Sequence, residues 1–281
     1  NNLDNHLLPG LNPRGVPKAL RDTIIPFNFN NFEDLINIVK ERANKCAAII
    51  MEPARNSLAD KSFLNEIRKI ASKNNCVLIF DEITSAWRND TSGIHKELGV
   101  NPDLAAFGKT MANGIPIAAL IGKKKIMEQV KDTFISSTNW TERLGPACAV
   151  AFIKKHKRLN LGKILQNKGK KIRDIWTQSA EDSNLKIKID GILPLSSFKI
   201  ETQNKDDWPI IITYFIQEML KKKILASDRC YSNYCQSERF LDIYKKACRN
   251  IFKNISFYLS KGTLRKQLDG PIKQMGFQQK I

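Results

Sequence analysis

The sequence lacks any long uninterrupted apolar run. A helix that spans a membrane needs roughly 20 mostly apolar residues in succession, and no run among the 281 residues approaches that length. The opening NNLDNHLLPG has neither the basic start nor the apolar stretch of a secretory signal. These absences favour a soluble, folded chain over a membrane protein. Because the first residue is Asn1 and not Met, we expect the chain to belong to a longer protein.

Histidine and cysteine are scarce, and neither has the spacing of metal ligands. The three histidines are scattered at 6, 95 and 156, which favours surface or core positions over ligation. The six cysteines form no CxxC pair, so the common zinc-binding modules are excluded and we expect no metal. The cysteines are interpreted as buried thiols in a reducing compartment, which predicts a cytoplasmic protein.

Acidic residues are few relative to basic ones. There are 46 Lys and Arg against 28 Asp and Glu, a net charge of +18, of which +15 lies in residues 141–281. Such an excess raises nucleic acid as a partner. The basic residues are dispersed along segments with helical apolar spacing, however, and no nucleic-acid-binding motif accompanies them. Solvated helix faces are therefore the preferred interpretation, and a phosphate-binding surface is the alternative.

What the first half does contain is an alternation of strand and helix patterns. The apolar runs 46–51 and 76–80 are each short enough for a buried strand, and a helical apolar pattern over 63–71 lies between them. Two strands joined by a helix form a βαβ unit, which predicts a parallel sheet with helices on its faces. In such sheets ligands bind outside the carboxyl ends of the strands. Glu52 and Asp81 are expected at two of those ends.

The pattern changes in the second half of the chain. The elements predicted after the βαβ unit are strands at 104–107, at 117–121 and within 185–201, and helices from Pro146, over 209–223 and over 237–259. We therefore expect an α/β fold with two domains. Residues 1–160 are predicted to form the larger α/β part, and residues 161–281 a smaller α+β domain.

Three features could carry chemistry: Asp81-Glu82 at a strand end, Lys109 in FGKTMANG, and Thr141 in SSTNWTERLGP. Each feature alone is weak evidence of a catalytic residue, but the order and spacing of the three along the chain are more specific. A strand ending in IFDEITSAWR, a lysine preceded by NPDLAAF and Gly, and a TERLGPA segment resemble the class III aminotransferases. Within that group the chain looks most like glutamate-1-semialdehyde aminomutase and the related aminotransferases. The resemblance runs from HLLPGLNPRGVP through AAIIMEP to LDGPIKQMGF, nearly the whole chain.

This resemblance implies an enzyme that uses pyridoxal 5'-phosphate and has the fold of type I pyridoxal-phosphate transferases, here with an N-terminally truncated large domain. The implied reaction is amino-group transfer through a lysine Schiff base. An aminotransferase would act on a small-molecule amino donor and a carbonyl acceptor, and an aminomutase would move the group within one substrate; the residues leave that choice open. A homodimer with active sites at the subunit interface is also implied, with neither nucleic acid nor a membrane as a partner.

Five residues match positions that the family uses. Lys109 matches the lysine of the Schiff base, and Asp81 matches the carboxylate that keeps the pyridine nitrogen of the cofactor protonated. Ile83 matches the apolar residue that packs on the ring, with ordinary core as an equal alternative. Thr141 matches a threonine that holds the cofactor phosphate of the neighbouring subunit. Glu52, in a Glu-Pro pair, matches an acid near the site, with structural hydrogen bonding as its alternative.

The sequence also departs from the family pattern. The phosphate-cradling loop of the family, a Ser-Gly-Ser or Ser-Gly-Thr turn, would lie before Asn1, and Ser92-Gly93, followed by Ile94, is wrongly placed to replace it. Residues 54–56, Ala-Arg-Asn, stand where relatives often have Gln-Gly. These departures keep a second hypothesis open, in which the chain is a truncated, non-catalytic homologue that acts only as a fold or dimerisation module.

Overall fold

The computed structural model describes residues 3–6, 11–42, 45–136, 138–139, 141–204 and 206–275. In these residues the helices are α1 (Phe32–Glu41), α2 (Lys61–Lys73), α3 (Ile94–Leu98), α4 (Lys124–Met127), α5 (Leu144–Leu159), α6 (Leu161–Glu181), α7 (Asp207–Lys221) and α8 (Glu238–Ser260). The strands are β1 (Ala48–Met51), β2 (Val77–Asp81), β3 (Leu104–Phe107), β4 (Ala119–Gly122), β5 (Lys186–Asp190), β6 (Leu195–Glu201) and β7 (Arg229–Tyr231). No helix in the described residues has both the length and the apolar character that crossing a membrane requires.

The first sheet has the strand order β1-β2-β3-β4. Strands β1, β2 and β3 are parallel, as the βαβ pattern predicts, whereas β4 is antiparallel to β3. A parallel connection needs a crossover of a dozen or more residues, usually a helix, and only residues 108–118 join β3 to β4. The chain therefore turns back beside β3, and Lys109 lies in this connection.

Helix α2 covers one face of the first sheet. Its apolar residues recur at helical spacing, and Leu64 and Ile67 are fully buried against Leu78 and Phe80 of β2. Asp60 occupies the N-cap position, but its side chain makes no capping hydrogen bond. Burial of the apolar face, and not capping by Asp60, therefore holds α2 on the sheet.

Residues after 160 form the α+β arrangement that the sequence pattern predicts. Strands β5, β6 and β7 form an antiparallel sheet in that order. Helices α6, α7 and α8 share one apolar core with this sheet, and Trp176, Phe198, Phe215 and Phe252 are at most 3% exposed within it. Trp176 Nε1 donates a hydrogen bond to Tyr244 Oη at 2.8 Å, which satisfies both polar groups inside the core.

The sequence patterns do not predict α6 as an element, although it has 21 residues. Two glycines, Gly162 and Gly169, lower its helix propensity. The tertiary structure explains both. A Cβ atom at Gly169 would lie 2.0 Å from Leu193 O, and one at Gly162 would lie 2.3 Å from Asn89 O. The helix can approach these backbones only where it carries no side chain.

Asp103, directly before β3, is a buried carboxylate that ties several elements together. Its Oδ2 accepts hydrogen bonds from Arg68 Nη1 of α2 at 2.8 Å and from Leu78 N of β2 at 2.7 Å. Its Oδ1 pairs with Lys123 Nζ, beside β4, at 2.6 Å. Burial by itself would raise the pKa of this carboxyl, but the hydrogen bonds from Lys123, Leu78 and Arg68 outweigh it and lower that pKa below its ordinary value.

We expect Asp103→Ala to lower the free energy of unfolding at pH 7 by about 3 kcal/mol, because the partners of a buried ion pair are left unmatched. Since the pKa is lower in the folded state, this stabilisation is present above the unfolded-state pKa and is lost as the pH falls through the folded-state pKa. Urea unfolding at a series of pH values tests this. The variant and the unmodified protein should converge in acid. The exposed carboxylate Asp132 provides the control, Asp132→Ala, and equal losses in the two variants would contradict the prediction.

Candidate active site

Strands β2 and β3 end at the same edge of the sheet because they are parallel neighbours. Asp81, the last residue of β2, lies beside Ala106 of β3, and Glu82 N donates to Ala106 O at 2.9 Å. The chain then turns, and Asp81 Oδ1 accepts a hydrogen bond from Ile83 N at 3.0 Å. One carboxylate oxygen of Asp81 is thereby held against its own turn, at the edge where the sequence predicts a ligand.

Lys109 follows β3 at this edge and begins the 3-10 turn Lys109–Met111. Its φ of +46° is in the left-handed region, which is uncommon for a residue other than glycine. Its Nζ donates a hydrogen bond to Thr84 Oγ1 at 2.6 Å. Thr84 is only 5% exposed, whereas Lys109 is exposed. A buried hydroxyl after β2 therefore orients an accessible amine after β3.

Ile83 lies against the same connection. The atom nearest to a Cβ built at Gly108 is Ile83 Cγ2, at 3.6 Å. Because Gly108 directly precedes Lys109, the side chain of Ile83 is next to the base of the lysine. The structure thus brings together three of the sequence-predicted residues, Asp81, Ile83 and Lys109, at the carboxyl ends of β2 and β3.

The other two predicted residues are not joined to this group by any hydrogen bond or ion pair within the part of the chain that the structure describes. Glu52 follows β1, and its Oε1 pairs with Arg55 Nη1 at 2.8 Å. Its Oε2 is buried without a hydrogen-bond partner among the described residues. Thr141 is exposed in a turn before α5, where Glu142 Oε1 accepts from Leu144 N at 2.6 Å.

Two residues to which the sequence analysis gives no role of their own stand out in the structure. Thr84 is the hydrogen-bond acceptor of Lys109. Glu82 is fully buried between the two site residues that flank it in sequence. The only signal for either one was its position in IFDEIT, at the end of a strand. Of the histidines, His95 and His156 are buried and His6 is partly exposed.

The charges of Asp81 and Lys109 are not neutralised by neighbouring groups. Neither side chain makes an ion pair in the described residues. The described residues also contain no group of three His, Cys, Asp or Glu that could hold a metal ion. A carboxylate and an amine that make no ion pair within the described residues, on neighbouring strand ends, fit a ligand that has a cationic ring nitrogen and a carbonyl carbon.

The N–H groups that follow Ser92-Gly93 already donate to a carboxylate of the protein. The first two N–H groups of α3, those of Ile94 and His95, donate to the carboxylate of Glu82 at 3.1 and 2.9 Å. These N–H groups are therefore not available to a phosphate, which agrees with the prediction that this Ser-Gly pair cannot replace a phosphate loop.

The chain is similar in sequence to known aminotransferases. The pattern of the family described as aminotransferase class-III matches residues 17–256. The 3-aminobutyryl-CoA aminotransferase of Cloacimonas acidaminovorans (strain Evry) is 33% identical over 194 residues, which cover 66% of this chain and 47% of that protein. The glutamate-1-semialdehyde 2,1-aminomutase of Legionella pneumophila (strain Paris) is 28% identical over 178 residues, covering 61% and 42%. The chain spans about half the length of these curated relatives.

Solved structures show the same fold. The FumI protein of Sphingopyxis sp. MTA144, solved in its PLP internal aldimine form, superposes with a TM-score of 0.79 at 20% identity, covering 88% of this chain and 61% of that one. An omega-transaminase from Sphaerobacter thermophilus gives a TM-score of 0.77 at 19% identity, covering 85% and 59%. The chain therefore has the type I fold of pyridoxal-phosphate transferases over the part that it shares with these structures.

Proposed function

The chain belongs to the class III aminotransferase family, and we propose that it carries out amino-group transfer with pyridoxal 5'-phosphate bound to Lys109. The observation that carries this proposal is the placement of the Lys109 amine and the Asp81 carboxylate on the carboxyl ends of neighbouring strands. Neither Lys109 nor Asp81 makes an ion pair within the described residues, so both charges remain available to a ligand.

When bound, pyridoxal phosphate supplies an electron sink for the substrate carbon that carries the nitrogen. Asp81 would stabilise the protonated ring nitrogen, because a nearby negative charge favours the charged form of a base. The amine of Lys109 would hold the carbonyl carbon and, when neutral, move a proton. Arginine could do neither, because it stays protonated. Ile83 would pack on the ring, since its side chain already lies beside Gly108.

We further propose that Glu52 lies near the cofactor and that Thr141 holds the phosphate of a cofactor in the partner subunit of a homodimer. The buried, unpartnered Oε2 of Glu52 is a group that a bound ligand could satisfy. Thr141 is exposed beside α5, whose apolar Val150 and Ile153, three residues apart on one side of the helix, are 52% and 37% exposed. An apolar helix face of this kind supports a protein partner.

Analytical ultracentrifugation tests the proposed homodimer. The measured mass should be twice the mass of the chain, and a monomer at all concentrations would contradict the dimer.

We propose residues 1–160 as the large-domain part and residues 161–281 as the small domain, in a cytoplasmic protein. The two sheets support this division, since the first lies within 48–122 and the second within 186–231. Asn160, at the proposed boundary, has a left-handed φ of +49° between α5 and α6. All six cysteines are free thiols, which supports a reducing compartment.

We propose two alternatives for the substrate. An aminotransferase would use a small-molecule amino donor and a carbonyl acceptor, whereas an aminomutase would move the amino group within a single substrate. Both reactions would use Lys109 and Asp81 in the same way. The two curated relatives named above are an aminotransferase and an aminomutase, and neither description favours a non-catalytic module. Neither nucleic acid nor a membrane is proposed as a partner.

Absorbance spectroscopy with added pyridoxal phosphate, followed by borohydride reduction and peptide mapping, tests this function. We expect an imine band and a reduced adduct on the peptide that contains Lys109. An adduct spread over the surface lysines, or no adduct at all, would contradict binding at Lys109 and favour the non-catalytic module.

Thr84→Val should slow capture of the cofactor about threefold to tenfold. Valine keeps the shape of threonine but removes the hydroxyl that Lys109 Nζ binds at 2.6 Å, so the amine loses one orienting hydrogen bond. The rate of rise of the imine band after mixing measures the effect. Thr110→Val is the matched control, because the hydroxyl of Thr110 donates to Ala86 O and not to the lysine. Equal rates in the two variants would show that Thr84 does not orient Lys109.

A further inference from the structure

Glu82 lies between Asp81 and Ile83 in sequence and is fully buried. Its carboxylate accepts a hydrogen bond from Ser85 Oγ within its own turn. It also accepts three from α3, namely from Ile94 N at 3.1 Å, from His95 N at 2.9 Å and from His95 Nδ1 at 2.8 Å. One side chain therefore joins the turn after β2 to the start of α3.

These bonds keep the carboxylate ionised. Burial by itself would raise the pKa of Glu82, but the hydrogen bonds from His95, Ser85 and Ile94 outweigh it and lower that pKa below its ordinary value. An ionised carboxylate only accepts hydrogen bonds, so Nδ1 of His95 carries the proton that it shares with Glu82. Each carboxylate oxygen has two donors, and no lone buried charge remains.

The contacts of Glu82 and His95 explain why position 93 is a glycine. A Cβ atom at Gly93 would lie 2.7 Å from His95 Nδ1 and 2.9 Å from Glu82 Oε1. Both distances are shorter than real Cβ contacts, so the backbone can pass this close only without a side chain. The glycine leaves room for the carboxylate and the imidazole.

We propose that Glu82 is a positioning residue of the site, which fixes the turn after β2 onto α3 so that Asp81, Ile83 and Thr84 keep their places beside Lys109. All three residues lie within two positions of Glu82, so a shift of its backbone would move each of them. The catalytic meaning of this inference rests on the proposed function, but its structural content can be measured without cofactor.

Hydrogen exchange of the cofactor-free protein tests the structural content. In Glu82→Gln, the side-chain amide turns a donor toward groups that are themselves donors. Because glutamine keeps one oxygen, either Ile94 N or His95 N loses its acceptor, since the two N–H groups bind different oxygens of Glu82. We expect at least about tenfold faster exchange for that N–H group, and also for Ile83 N, which is bonded to Asp81 Oδ1. The matched control is Glu97→Gln, which makes the same chemical change at an exposed position of α3. If exchange at Ile83 is unchanged while Ile94 or His95 exchanges faster, Glu82 supports only α3 and the proposal is wrong.

Ser85→Ala keeps the test decisive if Glu82→Gln does not fold. It removes only the hydroxyl donor within the turn, and we expect about threefold faster exchange at Ile83 N. Unchanged exchange at Ile83 would overturn the proposal in this variant as well.

Titration with pyridoxal phosphate tests the link to function. We expect the Kd for the cofactor to rise about tenfold in Glu82→Gln and to stay unchanged in Glu97→Gln. An unchanged Kd in Glu82→Gln, with faster exchange at Ile83, would show that the turn moves without affecting the site and would overturn the positioning role. If the unmodified protein binds no cofactor, the proposed function fails, while the exchange experiment still decides whether Glu82 holds the turn.

Discussion

Lys109→Ala is expected to abolish the borohydride-trapped adduct and to reduce turnover by about a thousandfold or more. The variant removes the amine that would hold the carbonyl carbon and move the proton. Lys109 is exposed and does not belong to any hydrophobic core of the described residues. The variant should therefore fold normally, so a loss of adduct reports chemistry and not stability. Mass mapping of the reduced protein, together with a turnover assay, measures both effects.

Two further variants separate the amine from the charge of Lys109. Lys109→Arg keeps a cation at this position but stays protonated, so it should lose the adduct as completely as the alanine variant. Lys131→Ala removes an exposed lysine elsewhere and should leave the adduct intact. Turnover or an imine band in Lys109→Ala similar to that of the unmodified protein would show that the proposed mechanism is wrong.

Asp81→Asn should reduce turnover by about 10²- to 10³-fold while leaving the adduct on Lys109 in place. Asparagine retains the shape and an oxygen that can accept from Ile83 N. It removes the negative charge that would favour a protonated ring nitrogen, and losing one such electrostatic contact costs about this much in other active sites. Parallel measurement of turnover and of borohydride trapping separates the loss of chemistry from a loss of binding.

The control for Asp81 is Asp90→Asn, an exposed carboxylate in the segment that follows the site. It should have no measurable effect on either readout. A cofactor analogue methylated on the ring nitrogen carries a permanent positive charge, so it should restore part of the turnover lost in Asp81→Asn. A variant that loses adduct and turnover together would indicate that Asp81 holds the cofactor in place and does not tune its ring.

Much of the first sheet could be predicted from local patterns. The runs at 46–51 and 76–80 predict β1 and β2, because short apolar runs between helical patterns are typical of buried parallel strands. The end of β2 at Asp81 follows from the same pattern, since a charged residue there lies outside the apolar core. The position of Lys109 after a third short strand was also readable in the sequence.

Other features had no local signal. The direction of β4 depends on which neighbour it pairs with, and helix α6 is interrupted in sequence by glycines that only the packing against Leu193 and Asn89 explains. Thr141 remains a prediction, because its proposed site would need residues of a partner subunit.

Periodicity and residue type predicted the βαβ framework and a charged residue at the end of β2, and the family resemblance singled out Asp81 and Lys109 as site residues. The hydrogen bond from Lys109 to Thr84 and the link from the turn at Glu82 to His95 became visible in the folded chain. Those partners are 25 and 13 residues apart in sequence. Hydrogen bonds between such distant residues depend on how the sheet edge, the turn and α3 pack in space, and no local pattern in the chain carries that information.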